Sequence, residues 1–450
     1  MKTEGLTDYE RIRLENIKRN DEMLASFKIK SKLADLIAFN KPQRSLSTHR
    51  RKYTPTVTRR SLRTQGKVPD STGLKYKFRK QSKPQRPKTF KSQLQELEPV
   101  SMKVANTCSK SDQMLISQLK NGDVHARFKA SIDLDSMKLA PKNIANILPG
   151  YIKSIKFFPS TDMRMVVVGN KYGAIGFWNV DSEKEDGDGI YKYHTNPGLV
   201  SAILIQPFSM NKITTSCYGG QIRSLDIEKE IFALSYSTDN PITCMSQQPS
   251  DVNSLYFGEG EGVVHQWDQR SRKSILSWDI HESIINTIDF NPENINIMAT
   301  SSSDKTACIW DLRKLSKSKP EFVKLIVSKS PVYAAYFSPS GSFLATTSAD
   351  DRIGVLSGTN YDEEFMINHN NQTGNYIPSF KGIWGWDDSY IFVGNKKKGV
   401  DVISAYTKTL VTTLKSPHMS AIPCRFDAHP FIPGMLAGAT GKGQVYIWTS

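Results

Sequence analysis

The chain has no unbroken apolar run of about 18 residues, the length that marks a membrane-spanning helix. Its first residues, MKTEGLTDYE, also lack the apolar centre of a secretion signal. It therefore reads as neither membrane-spanning nor secreted. Cysteine is scarce: Cys108, Cys217, Cys244, Cys308 and Cys424 are odd in number, scattered, and form no CxxC pair. That argues against a structural zinc site and suits a reducing compartment. Phosphate-binding loops, nucleophile elbows and HExxH helices are missing too. No catalytic activity, metal, organic cofactor or small-molecule substrate is implied.

Acidic residues are nearly absent from one segment. The formal charge is +16 over 450 residues, and residues 41–91 hold 17 Lys or Arg against one acid, Asp70. Residues 136–450 carry 30 basic and 30 acidic residues, so the excess belongs to a tail. Residues 41–99 are poor in large aliphatics and rich in Lys, Arg, Ser, Thr, Gln and Pro. Such a segment cannot offset its ordering entropy and is expected to be a disordered basic arm. Two clusters stand out, HRRK with Arg50, Arg51 and Lys52, and TRRSLR with Arg59, Arg60 and Arg63. Clusters of this kind serve nuclear import or phosphate contact, because each neutralised phosphate releases condensed counterions. A merely solubilising tail is the plainer alternative. Tyr53, Tyr76, Phe78 and Phe90 sit among these charges, where rings can stack on exposed bases. Ahead of the arm, residues 1–40 read as a helical segment, either docking on a partner or on the folded body or simply solvated: Thr7 and Glu10 fit a capping box, and Ile17, Leu24 and Phe27 recur at helical spacing.

From residue 100 the texture changes to short strands separated by turn residues, and it repeats. The phrase HESIINTIDFNPENINIMATSSSDKTACIWDLRKL, residues 281–315, sets the pattern. A His opens a strand, DFNP closes it, a small-residue strand follows, Asp304 turns the chain, and ACIWD ends a third strand. The residues at the terminal Asp position are Asn179, Asp226, Asp268, Asp311, Ser357, Ser404 and Thr449, spaced by 47, 42, 43, 46, 47 and 45. Seven units of this period predict an all-β, seven-bladed propeller over residues 100–450. One four-stranded blade cannot bury both faces alone, so blades stack until the ring closes. The sequence stops after the third strand of the seventh unit, GQVYIWTS, and the missing outer strand is expected from before the first blade. VHARFKASIDL, residues 124–134, has the alternation and location to supply it and to protect an edge.

Trp178, Trp267, Trp310 and Trp448 end third strands and read as core. His281, Asp304 and a strand Ser such as Ser302 read as an internal hydrogen-bond set with Trp310. The mix of Ser, His and Asp is thus structural rather than catalytic.

Several phrases go beyond a generic repeat: TSSSDKTACIWDLRKL, PVYAAYFSPSGSFLATTSADDRIGV, NHNNQTGNYIPSFKGIWGWDDSYIFVGNKKKGVDVIS and MLAGATGKGQVYIW. In their order and spacing they resemble the WD-repeat damage-specific DNA-binding family. That family includes the DNA-contacting subunit of the UV-damaged-DNA-binding complex. The early YERIRLENIKRN looks like the family's fungal changed-mutation-rate branch. The resemblance implies a WD-repeat propeller and, between two blades, a hairpin that enters the DNA minor groove and parts a damaged base step. His369, Asn370, Asn371, Gln372, Thr373 and Tyr376 would occupy that finger, with amides and hydroxyls donating to base edges, Gly374 turning the chain and Tyr376 wedging. Insertion costs least where damage has already weakened stacking. The resemblance also points to Lys171 in VGNKYG, Lys381, and Lys396, Lys397 and Lys398 as DNA contacts, against the plainer reading of solvated loop charges. One departure stands out: HESI places Glu282 and Ser283 where the damage-binding subunit has a lysine run. Two W-D-x-R boxes, Trp267–Asp268–x–Arg270 and Trp310–Asp311–x–Arg313, match a motif that docks on the adaptor subunit of a cullin-based ubiquitin ligase, each Arg being available for a carboxylate. Ordinary blade chemistry is the alternative there.

Together these readings predict a nuclear, non-enzymatic protein that binds double-stranded DNA. The arm supplies salt-sensitive affinity and one propeller face reads damage or distortion. The alternative is a nuclear interaction scaffold that docks the ligase adaptor or other chromatin proteins.

Overall fold

A computed structural model describes residues 99–108, 110–121, 132–182, 187–206, 212–271, 273–316, 320–374 and 377–450, and before them only residues 15, 18 and 19. The chain divides into two compact units, Met1–Lys88 and Thr89–Ser450. In the first, Glu15, Lys18 and Arg19 are helical and exposed, inside the stretch read as a helix. Arg50, Arg51, Lys52, Arg59, Arg60 and Arg63 lie outside the described residues.

In the second unit seven antiparallel sheets repeat one plan, each led by strands that pair in chain order. The first holds Ile152–Phe157, Met165–Asn170, Ala174–Asn179 and Ile190–His194. The leading strands of the seven sheets are Ile152–Phe157, Val200–Ile205, Ile242–Gln247, Ile285–Phe290, Val332–Phe337, Ile383–Trp384 and Pro423–Ala428. Each adjoins the next, and the last adjoins the first. The sheets are therefore blades around a central channel, the seven-bladed propeller that the repeat predicts. Asn179, Asp226, Asp268, Asp311, Ser357 and Ser404 each end the third strand of a blade. Thr449 falls one residue beyond Gln444–Trp448, in a single bridge to Lys138. Trp178, Trp267, Trp310 and Trp448 are all buried, as their apolar area demands.

Closure departs from expectation in its residues but not in its logic. The strand that completes the seventh blade is Ile144–Asn146, with Ile144 opposite Tyr446 and Asn146 opposite Gln444. It is not residues 124–134, of which 124–131 lie outside the described residues and Leu134 opens a short 3-10 turn. Alternation fits any sheet edge. What selects Ile144–Asn146 is the short link to Ile152, in which Ile147 and Leu148 are buried between the seventh and first blades. Residues 100–121 also differ from the strand texture read there. Val100–Ser101 adds a fifth strand to the second blade, and Met102–Ala105 and Gln113–Asn121 are helices. Leu115, Ile116 and Leu119 share one helical face and bury it against Phe158, Phe177, Tyr193 and Phe232.

The polar set of the fourth blade uses a different hydroxyl from the one expected. His281 Nδ1 is 2.9 Å from Asp304 Oδ2 and its Nε2 is 2.7 Å from Thr300 Oγ1, to which Trp310 Nε1 donates at 2.8 Å. Ser302, one strand pleat away, instead donates to Ser283 O and accepts from Asp304 N. Burial alone would raise the pKa of Asp304. The bonds it accepts from His281, Thr306 and the Glu282 N–H outweigh that and hold its carboxyl well below the usual range. A carboxyl depressed in the folded state stabilises above its unfolded pKa, near 4, and loses that contribution as pH falls through the folded value. Asp304→Ala is thus expected to cost about 2–3 kcal/mol at pH 7 by denaturant titration, with a gap to wild type that narrows below pH 4. An equal gap at pH 7 and pH 3 would exclude this role for the carboxylate.

Candidate nucleic-acid interface

In a four-stranded antiparallel blade, the turn from second to third strand and the crossing into the next blade open on one face of the ring. The first and third turns open on the other. Lys171 sits in the second turn of the first blade, and Lys396, Lys397 and Lys398 in that of the sixth. Residues 369–382 form the crossing from the fifth to the sixth blade. The fold therefore brings these candidates, far apart in sequence, to one face.

That face is polarised. From the fifth-to-sixth crossing, through the seventh and first blades, to the second turn of the second blade, its loops contain no Asp or Glu. They carry Lys171, Lys397 and Lys398, all exposed, half-buried Lys396, and two exposed lysines that sequence reasoning missed, Lys415 and Lys442. Asp239, Glu261 and Glu282 gather on the opposite arc. The Lys171 ammonium lies 4.7 Å from the ring centre of Tyr172, which is 54% exposed, and Tyr218 holds a matching turn in the second blade. Both tyrosines were also missed. Their signal is a ring in a three-residue turn that ends in a glycine, Gly173 (φ +87°) or Gly220 (φ +74°), a geometry that turns a strand tightly.

The finger splits into a structural root and an exposed tip. His369 Nδ1 is 2.7 Å from Asn371 Oδ1 and its Nε2 is 3.0 Å from Asp401 Oδ2. Asn371 is fully buried: its amide donates to Ser348 O and Arg352 O, both at 2.9 Å, and its backbone N–H to Asp351 Oδ1. Burial would raise Asp401, but bonds from His369, Thr413 and Asn395 outweigh it and keep the carboxyl below its usual range. His369 and Asn371 therefore cannot meet DNA as the finger assignment required, because their polar atoms are already spent within the fold. Asn370 and Gln372 are exposed, Thr373 is partly so, and nothing lies within 4 Å of the Cβ position of Gly374 (φ +66°). Gln372 is steadied by Asp351, with Nε2 donating to Oδ2 at 2.6 Å. Tyr376 lies outside the described residues.

Lys381 is displaced from the rim. Its ammonium is enclosed in the channel mouth and donates to Asn286 O at 2.8 Å. Burial first, then Lys153 and Arg425, pushes it well below the ordinary lysine range.

The two W-D-x-R boxes end third strands, so Arg270 and Arg313 lie on the opposite face. Trp267 and Trp310 are core, and Asp311 is buried. Arg313 returns to its own box, Nε to Asp311 Oδ1 at 2.9 Å and Nη2 to Oδ2 at 2.8 Å. Arg270 donates its backbone N–H to Asp268 at 2.8 Å, with Nε 3.6 Å from the same carboxylate. Arg313 is thus occupied by its own Asp, while the exposed Arg270 guanidinium only approaches Asp268.

The family model for the WD domain, G-beta repeat, matches residues 272–311 and 322–355. Over 98% of its length the chain is 28% identical to the DNA damage-binding protein cmr1 of Neurospora crassa, covering 98% of that protein. It is 27% identical to the DNA damage-binding protein CMR1 of Scheffersomyces stipitis over 98% of this chain and 99% of that one. WD repeat-containing protein 76 of Xenopus laevis is 23% identical over 98% of this chain and 80% of its own. These are the relatives that the sequence motifs resemble. The likeness to both cmr1 proteins extends over nearly the whole of this chain.

The split finger yields a direct comparison. Asn371→Ala is expected to lower stability by about 1–3 kcal/mol. Replacing residues 372–376 with Gly and Ser at equal length should change it by less than about 1 kcal/mol. Urea titrations of both variants check this, and equal losses would contradict the division into root and tip.

Proposed function

We propose that the protein is a nuclear, non-enzymatic DNA-binding protein acting in DNA metabolism and the response to DNA damage. The observation that carries this reading is the acid-free arc of lysines and exposed tyrosines crossing the sixth, seventh, first and second blades. Phosphodiesters ride on Lys171, Lys396, Lys397, Lys398, Lys415 and Lys442, which fix position without reading sequence. The tip at Asn370, Gln372 and Thr373 lies beside that track and enters a distorted or UV-damaged minor groove, where unstacking costs least, with Tyr376, from the sequence alone, as the wedge. The basic arm, with Arg50, Arg51, Lys52, Arg59, Arg60 and Arg63, adds contacts of no sequence preference. The names of the relatives, DNA damage-binding proteins along nearly the whole chain, support the same assignment.

A second reading concerns the other face. Both W-D-x-R boxes open there, clear of the lysine arc, so an adaptor subunit of a cullin-based ubiquitin ligase or another chromatin protein has room to dock while DNA is bound. On that face Arg313 is paired with its own Asp311, while the Arg270 guanidinium is exposed 3.6 Å from Asp268.

Binding of the full chain to matched undamaged and UV-irradiated duplexes, titrated across salt, tests the first reading. Lys171→Ala, Lys397→Ala and Lys442→Ala should each weaken both duplexes alike and flatten the salt slope by about 0.9. Replacing the tip should erase the preference for damaged DNA and leave the slope unchanged. Salt slopes identical to wild type in the lysine variants would overturn the arc as the DNA track.

A further inference from the structure

Three cations meet at the upper end of the central channel with no carboxylate among them. Lys153 lies on Ile152–Phe157 of the first blade, Arg425 on Pro423–Ala428 of the seventh, and Lys381 on the segment entering the sixth. Arg425 Nε donates to Lys153 O at 3.2 Å, and its Nη1 to Cys424 O at 2.8 Å and to Ser379 O. Lys381 reaches past the fifth blade to Asn286 O of the fourth. These bonds hold two of the side chains in place, and every acceptor is a neutral carbonyl. Among the described residues no Asp or Glu forms an ion pair with any of the three. The channel's acids lie at the far end of the leading strands: Asp289 accepts the Phe337 N–H, and Asp427 accepts the Phe157 N–H and pairs with Lys156 at 2.8 Å. Burial, and then Arg425, presses the Lys153 ammonium down to about 7, as expected of like charges crowded in an enclosed space. Tyr151 and Tyr218, both within electrostatic reach of Arg425, place phenols at the same mouth.

We propose that this channel mouth is a binding site for the terminal phosphate of a DNA strand. The proposal rests on the DNA reading above and adds which DNA is held. An internal phosphodiester brings one negative charge and continues on both sides, so it stays on the rim. A terminal phosphomonoester carries nearly two charges at pH 7 and enters an enclosed site end-on, where its charge favours the protonated form of both lysines beside Arg425. The lysine arc leads a strand to this point from both sides, since Lys171, Lys442 and Lys396 to Lys398 flank the same three blades. Tyr151 and Tyr218 offer rings or hydroxyls to the end nucleotide. A site of this kind suits broken or nicked strands.

The test uses the full chain and two duplexes of one sequence with a short 5′ overhang, one ending in phosphate and one in hydroxyl. The phosphate end should bind about fivefold or more tightly, the effect of one charge-assisted contact, and Lys153→Met should bring the two affinities together. Inorganic phosphate should raise the melting temperature of the wild type and not that of Lys153→Met. If that variant does not fold, Lys381→Met carries the same comparison. Equal affinity for the two ends overturns the proposal while leaving the DNA reading intact, and no binding to either duplex overturns both. A phosphoserine peptide that displaces phosphate where the phosphorylated end does not would overturn the DNA assignment in favour of a protein ligand.

Discussion

The ring is joined at one place by segments from opposite ends of the propeller. Ile144–Asn146 pairs with Gln444–Trp448, Ile147 and Leu148 fill the space between the seventh and first blades, and Lys138 bridges Thr449. In every other blade the four main strands are consecutive and their contacts form locally, Val100–Ser101 being an added edge strand on the second. This junction closes a loop of about 300 residues, and the entropic cost of that closure grows only slowly with length. Polar contacts reinforce it on the channel side, where Lys156 and the Phe157 N–H both reach Asp427 and Arg425 reaches Lys153 O. Without this seam the seventh blade would present an open edge, and the first and seventh leading strands would have no reason to adjoin.

The candidate interface straddles the same seam. Lys396 to Lys398 belong to the sixth blade, Lys442 and Arg425 to the seventh, and Lys171 and Lys153 to the first. In the sequence these residues are separated by more than half the chain, and only closure converts them into one arc and one channel mouth. The electrostatics of the face thus depend on a β-ladder three residues long. Under the proposed function the polarisation around the ring has a physical use: an arc free of acids would attract phosphate, while Asp239, Glu261 and Glu282 on the far arc would discourage a duplex from sliding across the whole face. HESI, which removes positive charge from the fourth blade, is part of that asymmetry.

Much of the architecture was legible because propeller blades are local. The third-strand endings follow the sequence period to the residue in six blades, since each is set by a buried aromatic or aliphatic strand and a turn residue. The closing strand was not, because alternation in residues 124–134 and in Ile144–Asn146 looks alike, and the choice is made by the short link to Ile152. The site was legible as a set of loops but not atom by atom. His369 and Asn371 sit in a motif whose composition suits DNA contact, yet the fold uses them to tie the finger's root to Asp401, Ser348 and Arg352. Thr300 replaced Ser302 for a similar reason: both are small hydroxyls on the same face of one strand, two residues apart, and only position along the strand decides which one meets His281 and Trp310. Lys415, Lys442, Tyr172 and Tyr218 became visible only once the turns carrying them were known to open on one side.

The central claim is that DNA lies on the arc running across the closure. Hydrogen–deuterium exchange of the full chain, with and without a damaged duplex, tests it most directly. The account predicts slowed exchange at residues 170–173, 370–374, 395–399 and 440–443, and no change at the turns after Asp268 and Asp311. Protection confined to the W-D-x-R face, or to the arm alone, would contradict it.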